Sequence, residues 1–237
     1  MSARRIAAID IGGTKLKCCL FEDGKPVLTR EADTEAKGGG AHVMDRAAAL
    51  LAELAPFDRL GVSTAGQVDP ETGTIRYAND NIPGYTGTDV RGILSGIFGV
   101  PTAVANDVYA AALGEAVCGG GRGEDNLICV TYGTGIGGGV ILDGRPYYGA
   151  GASAGVMLGG IVTHPEDMRP DDPFAGTYER YASATALVAA ARALDPALDS
   201  GRSVFARLEE PEVTALGDAW LDEVAGGLCT LIHAFNV

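Results

Sequence analysis

The sequence predicts a mixed α/β protein built in two halves, and three observations carry that prediction. Each half opens with an apolar strand, a glycine-rich turn and a returning strand: residues 5–10, 11–14 and 15–21 in the first, 127–132, 133–137 and 138–142 in the second. Stretches rich in alanine and leucine with helical periodicity follow in both. Finally, 46% of the 237 residues are hydrophobic and 21% charged, which supplies a core and excludes general disorder.

Taken in order, residues 5–10 form a short buried strand that ends on the carboxylate of Asp10. Asp23-Gly24 marks a further turn before an extended piece at residues 27–29, so the opening is a meander of hairpins. Gly38 to Gly40 break the chain ahead of a helix at residues 41–54, and residues 59–64 read as a strand closing on Ala65-Gly66. Residues 67–88 are polar and rich in turn chemistry, a stretch suited to ligand loops. A helix at 90–98, a strand at 102–105 and a helix at 107–117 follow, with Asn106 or Asp107 at the last helix's N-terminal end, where an amide or carboxylate is favoured. Beyond the second strand pair the chain reads as helical at 177–194, 204–208 and 213–235. The glycines between 119 and 123 suggest a hinge, and the division expected from these signals is residues 1–112 against 113–237.

Thirty-five glycines, about twice the usual share, fall in clusters without a three-residue period, which excludes collagen. A net charge of −13 argues against a nucleic-acid surface and against docking on anionic lipid. Any phosphate must therefore be held locally. The five cysteines have neither zinc-site spacing nor the pattern of a disulfide framework. With no signal peptide and no apolar run of membrane length, a soluble, cytoplasmic protein is expected.

Three motifs carry chemistry. In Asp10-Ile-Gly-Gly-Thr-Lys15, Gly12 and Gly13 let backbone N–H groups approach phosphate oxygens, Thr14 can donate and Lys15 adds a positive charge. Asp10 could hold Mg²⁺ through water; an ordinary hairpin with an Asp-stabilised turn is the alternative. In Tyr132-Gly-Thr-Gly-Ile-Gly-Gly-Gly139, the glycines at 133, 135 and 138 spell a dinucleotide fingerprint. That fingerprint needs a helix next, whereas Val140 to Leu142 with Asp143-Gly144 reads as strand and hairpin. A second phosphate-binding turn, with Gly133, Thr134, Gly135, Gly137 and Gly138, fits better than a Rossmann site; a glycine bulge is the alternative. Third, Asn106-Asp107 places a carboxylate at a strand-to-helix junction, where it could act as general base or simply cap the helix.

In this order the pieces resemble the ROK family of sugar kinases and repressors. The resemblance includes Ser63-Thr-Ala-Gly-Gln-Val-Asp69, Asn81-Ile-Pro-Gly84, Ala110-Ala-Ala-Leu-Gly-Glu115 and Tyr178-Glu-Arg-Tyr-Ala-Ser183. It implies an actin-like ATPase (ribonuclease H-like) fold of two lobes around a cleft, and ATP-dependent phosphorylation of a hexose or N-acetylhexosamine. It further implies Asp107 as catalytic base, with Gly66, Asn81, Asn106 and Glu179 toward the sugar. The glycine turns with Asp10 would hold Mg²⁺ and phosphate. A homodimer is possible on the same ground, with a small-molecule sugar as partner. The rival is a sugar-binding or regulatory family remnant without catalysis.

Three departures accompany the resemblance. Where typical members carry a Glu and a His after the second turn, this chain has Ala154-Gly-Val-Met-Leu-Gly-Gly160, which leaves His164 or Glu166 as nearby substitutes. No cysteine lies between His164 and Glu179, so no zinc site is expected. The family continues with a strand and an adenosine-binding turn where this chain stops, so an incomplete C-terminal lobe is expected, with Leu228, Leu231, Ile232 and Phe235 short of packing.

Overall fold

A computed structural model of the chain describes residues 4–149 and 156–237. The chain divides into two compact units. One comprises residues 4–111 with Tyr148 and Gly149; the other comprises Ala112–Tyr147 and Val156–Val237.

The first unit is built on a five-stranded sheet: β1 (Arg5–Ile11), β2 (Lys15–Glu22), β3 (Lys25–Asp33), β4 (Arg59–Thr64) and β7 (Thr102–Asn106), in the order β3-β2-β1-β4-β7. The hairpins make the β1–β2 and β2–β3 pairings antiparallel, whereas β1, β4 and β7 run parallel. Between β4 and β7 come the short β5 (Gln67–Val68) and β6 (Ile75–Tyr77), which pair with each other, and the helix α2 (Val90–Phe98). The helix α1 (Gly39–Ala52) precedes β4. Alternation sorts the side chains: Ala7, Ile9 and Ile11 of β1 and Leu16, Cys18 and Leu20 of β2 point into the core, and Asp10 does not. They pack with Val43, Met44, Ala47 and Leu51 from the apolar face of α1. β3 runs to Asp33, well past the three extended residues that its sequence suggests, because the β2 ladder continues to the Lys15–Asp33 pair.

Register then decides the position of the chemistry. Asp10 sits beside Ser63, Ser63 beside Ala105, and Thr64 beside Asn106. The carboxyl ends of β1, β4 and β7 therefore lie side by side, the edge where open parallel sheets present ligand-binding residues. The helix α3 (Asp107–Cys118) leaves β7 without a connecting residue.

The second unit has a three-stranded sheet, β10-β9-β8, from β8 (Leu127–Tyr132), β9 (Ile136–Leu142) and β10 (Arg145–Pro146). β9 begins at Ile136, so the glycine turn is shorter than its run of glycines suggests, and a strand rather than a helix follows it. The expected helix at 177–194 is two helices, α4 (Tyr178–Ala182) and α5 (Ala184–Leu194), separated at Ser183, whose backbone is extended. A short α6 (Gly201–Phe205) and the long α7 (Pro211–Phe235) complete the unit. Its cores join Ile136, Val140, Leu158, Tyr178 and Leu231 in one cluster, and Leu187, Ala191, Val204 and Val213 in another.

Leu231 is fully buried, contrary to the expectation that it would be short of packing, whereas Phe235 packs on the same cluster only partly buried. Ile232, the next residue along the helix, stays 49% exposed. With Leu127, Ile128, Val130 and Leu228 it borders an open apolar recess along β8. Among the described residues no helix is long and apolar enough to cross a membrane.

Candidate functional site

The first unit gathers most of the predicted site at one edge of its sheet. Asn106 ends β7 and organises its surroundings through both ends of its amide. Its Oδ1 accepts from the N–H groups of Val108 (3.0 Å) and Tyr109 (3.4 Å), which caps α3. Its Nδ2 donates to the carbonyl of Gly66 (2.9 Å) and to Asp107 Oδ1 (2.7 Å). The same Asp107 oxygen accepts from Val108 N–H at 2.9 Å. Asp107 Oδ2 has no partner among the described residues, so one oxygen anchors the carboxyl and the other is free to take a proton.

Surrounding protein raises the Asp107 pKa above the ordinary aspartate value by desolvation first, and the like charge of Asp10 adds to it. The bonds from Val108 and Asn106 offset part of this rise. Asp107 still presents surface to solvent, so a molecule can reach it. Asp10 is arranged in the same way: Ser63 donates to its Oδ1 at 2.7 Å from the neighbouring strand.

Gly66, Gly12, Gly13 and Asn81 complete this edge. Gly66 has φ +92° and a Cβ there would come within 2.9 Å of the Tyr77 carbonyl, so the position is closed to side chains. Gly13 lies against Asn81, 3.9 Å from its Cβ to the space where a Gly13 Cβ would stand. Lys15 departs from its expected place. Its ammonium sits on β3, 2.8 Å from Asp33 and 3.3 Å from Glu31, because the ladder sets Lys15 opposite Asp33. Phosphate would have to compete there with two carboxylates. Asp69, which closes the motif begun at Ser63, is structural: Arg76 above all, then the N–H groups of Thr72 and Glu71, hold its carboxyl at about 2.

The glycine turn between β1 and β2 is closed by a bond from Gly12 N–H to the Lys15 carbonyl (3.1 Å). Thr34, fully buried, donates its hydroxyl to the Gly12 carbonyl (2.7 Å) and its N–H to the Thr14 carbonyl (2.9 Å). The N–H groups of Gly13 and Thr14 have no partner among the described residues, and both residues are exposed. Two adjacent unpaired amides of this kind form a ready cradle for an anion.

The second unit repeats the device between β8 and β9. Gly133 N–H bonds the Gly135 carbonyl at 2.9 Å and closes the turn. Ala184 N–H donates to the Gly133 carbonyl (3.0 Å), and the Thr185 hydroxyl donates to the Thr134 carbonyl (2.6 Å). The N–H groups of Thr134 and Gly135 are left without partners among the described residues. Gly137 and Gly138 already belong to β9; Gly138 lies against Leu158, so it serves packing.

Glu179 is held at this turn. Its Oε2 accepts from Ile136 N–H at 2.8 Å, and the carboxylate occupies the space a Cβ on Gly135 would need. His164 is tied elsewhere in the unit: its ring stacks on Tyr181 with centroids 3.7 Å apart, and its Nε2 is 3.4 Å from Glu223. Of the stretch starting at Ala154, the first two residues lie outside the described residues; the rest brings no polar side chain. Among the described residues no three ligating side chains cluster as a metal site.

Sequence reasoning passes over three residues. Ser63 stands in a family motif, but only strand register puts it on Asp10. Thr34 and Thr185 carry no motif at all.

Comparison with known proteins identifies the family and the fold. The chain matches the ROK family over residues 6–237. It is 36% identical over 239 residues to an uncharacterized protein of Clostridium perfringens, covering 97% of this chain and 77% of that one. A ROK hexokinase from Thermus thermophilus superposes with a TM-score of 0.82 at 30% identity, over 98% of this chain and 78% of the other. A ROK family glucokinase from Streptomyces griseus, solved with glucose and AMPPNP, gives 0.78 at 26% identity, over 98% and 80%. The matched proteins are thus longer and share the actin-like ATPase fold. The chain belongs to the ROK family.

Proposed function

We propose that the protein is an ATP-dependent sugar kinase that phosphorylates a hydroxyl of a hexose or N-acetylhexosamine, with Asp107 as general base. The observation that carries this reading is the state of the Asp107 carboxyl: one oxygen fixed by Asn106 and Val108, the other unengaged, on the sheet edge that also holds Asp10 and the first glycine turn. The similarity to a glucokinase solved with glucose and AMPPNP supports the substrate class.

Phosphoryl transfer needs positioning, charge neutralisation and a base more than covalent chemistry from the protein. Asp107 Oδ2 would accept the sugar hydroxyl proton as that oxygen attacks the γ-phosphorus of Mg-ATP and the bond to the ADP oxygen breaks. A raised pKa makes the carboxylate a stronger base. Asn106 and Gly66 hold the base and the backbone beside it, and Asn81 offers an amide to the sugar. Unpaired turn N–H groups would receive phosphate oxygens, and Asp10 would meet the hydrated Mg²⁺ that accompanies the nucleotide.

The test is ADP release coupled to a panel of hexoses and N-acetylhexosamines. Asp107→Asn should lower kcat about 10²- to 10⁴-fold and leave sugar binding close to wild type. Because the folded state raises this pKa, the ionised carboxylate opposes folding at neutral pH, and the opposition disappears as pH falls. The Asn variant should therefore melt no lower than wild type at pH 7. The acidic limb of the wild-type rate profile should lie above the usual aspartate range, since activity is lost as the base protonates. Sugar binding without sugar-dependent ADP release would hand the protein to the non-catalytic reading, which the apolar stretch at Val156 to Leu158 favours.

A further inference from the structure

Each glycine turn is clamped to its own unit in the same way, although the clamping residues share no sequence pattern. In the first unit a threonine hydroxyl and a backbone N–H, both from Thr34, take the carbonyls of Gly12 and Thr14. In the second, the Thr185 hydroxyl takes the Thr134 carbonyl and the Ala184 N–H takes the Gly133 carbonyl.

A trans peptide is planar, so the N–H of each residue points opposite to the carbonyl before it. Fixing the Gly12 carbonyl on Thr34 turns the Gly13 N–H outward. Fixing the Thr134 carbonyl on Thr185 does the same for the Gly135 N–H, and Ala184 does it for the Thr134 N–H. Without the clamps a glycine-rich peptide could rotate freely, and its amides would have to be ordered by the anion at a cost in entropy.

We propose that Thr34 and Thr185 are positioning residues for phosphate: each hydroxyl pins a turn carbonyl to the scaffold so that the following amide is preset as a donor. Neither side chain need touch the nucleotide. The inference rests on the kinase reading only in taking a nucleotide phosphate as the anion.

The experiment compares wild type, Thr185→Val and Thr185→Ser of the full chain, with Thr34→Val alongside. Thr185 is exposed, so its variants should fold. Loss of a neutral hydrogen bond of about 0.5–1.5 kcal/mol corresponds to roughly a two- to tenfold change. Thr185→Val should weaken Mg-AMPPNP binding by that factor and raise the KM for ATP with a smaller change in kcat, while glucose affinity holds. Thr185→Ser should restore wild-type values. The amide resonance of Gly135 should move in the ligand-free valine variant and return in the serine one, which a side chain acting only by touching nucleotide would not produce.

Nucleotide affinity in Thr185→Val equal to wild type, an unmoved Gly135 amide, or failure of serine to rescue would each overturn the inference while leaving the kinase reading intact. Clamp-dependent AMPPNP binding without any sugar-dependent turnover would sustain the inference and sink the kinase reading. A wild type that binds neither AMPPNP nor inorganic tripolyphosphate would overturn both. Thr34→Val, where it folds, should show the same affinity loss; the Thr185 variants decide the matter by themselves.

Discussion

The two glycine turns present the same outward face and are built on different foundations. Each offers two adjacent unpaired amides, Gly13 and Thr14 in one, Thr134 and Gly135 in the other. Behind the first stands a fully buried threonine at the end of a sheet strand, and among the described residues no carboxylate takes an amide of the turn. Behind the second stand an exposed threonine, the first amide of a helix and the carboxylate of Glu179 on Ile136 N–H. The first turn is fixed by Thr34, which follows the neighbouring strand β3 of the same sheet. The second depends on residues more than forty positions away in sequence, and so on tertiary structure. The same amide pattern can therefore be reached from the next strand of a sheet or from a helix much further along the chain.

That contrast can be broken by asking how much each turn tolerates a methyl group. The largest effect is expected behind the second turn, at Gly159. A Cβ there would stand 2.3 Å from the carbonyl oxygen of Ile136 and 3.0 Å from its Cβ, and backbone cannot swing aside. Gly159→Ala should cost about 1–3 kcal/mol, the usual penalty of overpacking, read as a lower urea midpoint.

Gly135→Ala comes next. Its Cβ would meet Glu179 Oε2 at 2.4 Å, but a carboxylate at the end of a flexible side chain can move. The loss is then the Ile136–Glu179 bond, about 1 kcal/mol for a partly exposed pair. Glu179→Ala should lose the same bond, so the double variant should fall short of the sum of the singles in a mutant cycle. Additive effects would show that Glu179 does not brace this turn. Smallest should be Gly13→Ala, whose Cβ meets only ordinary contact at 3.9 Å and whose stability should stay within about 0.5 kcal/mol of wild type. A Gly13→Ala loss as large as that of Gly159→Ala would erase the distinction between the turns.

The parts of the fold governed by near neighbours are legible in the sequence. Alternation yields β1 and β2, their turn follows from two glycines, and the Asn106-Asp107 junction is readable because a cap sits next to the helix it caps. Lys15 shows where reading stops. Beside a glycine turn it looks like a phosphate ligand, yet pairing with β3 fixes it on Asp33 and Glu31, and no spacing rule contains that pairing. Glu179 is similar: its motif is visible, while its bond to Ile136 depends on how α4 packs. His164 reads from the sequence as a nearby substitute for the sugar-binding groups; the structure half-buries it against Tyr181 and Glu223.

Ser183 is the residue on which the second turn's anchorage depends. Residues 178–194 are rich in alanine and would run well as one helix, in which the Ala184 amide would bond its own backbone four residues back. Ser183 instead adopts an extended backbone and gives α5 a fresh beginning, with its hydroxyl on Ala186 N–H. The carbonyl this frees at Ala182 is met by the indole N–H of Trp220, the chain's single tryptophan, which also reaches the Ser183 carbonyl that Leu187 N–H already engages. One stop in an otherwise uninterrupted spiral thus turns a main-chain donor toward a loop far upstream, and an aromatic ring on α7 keeps the break from healing.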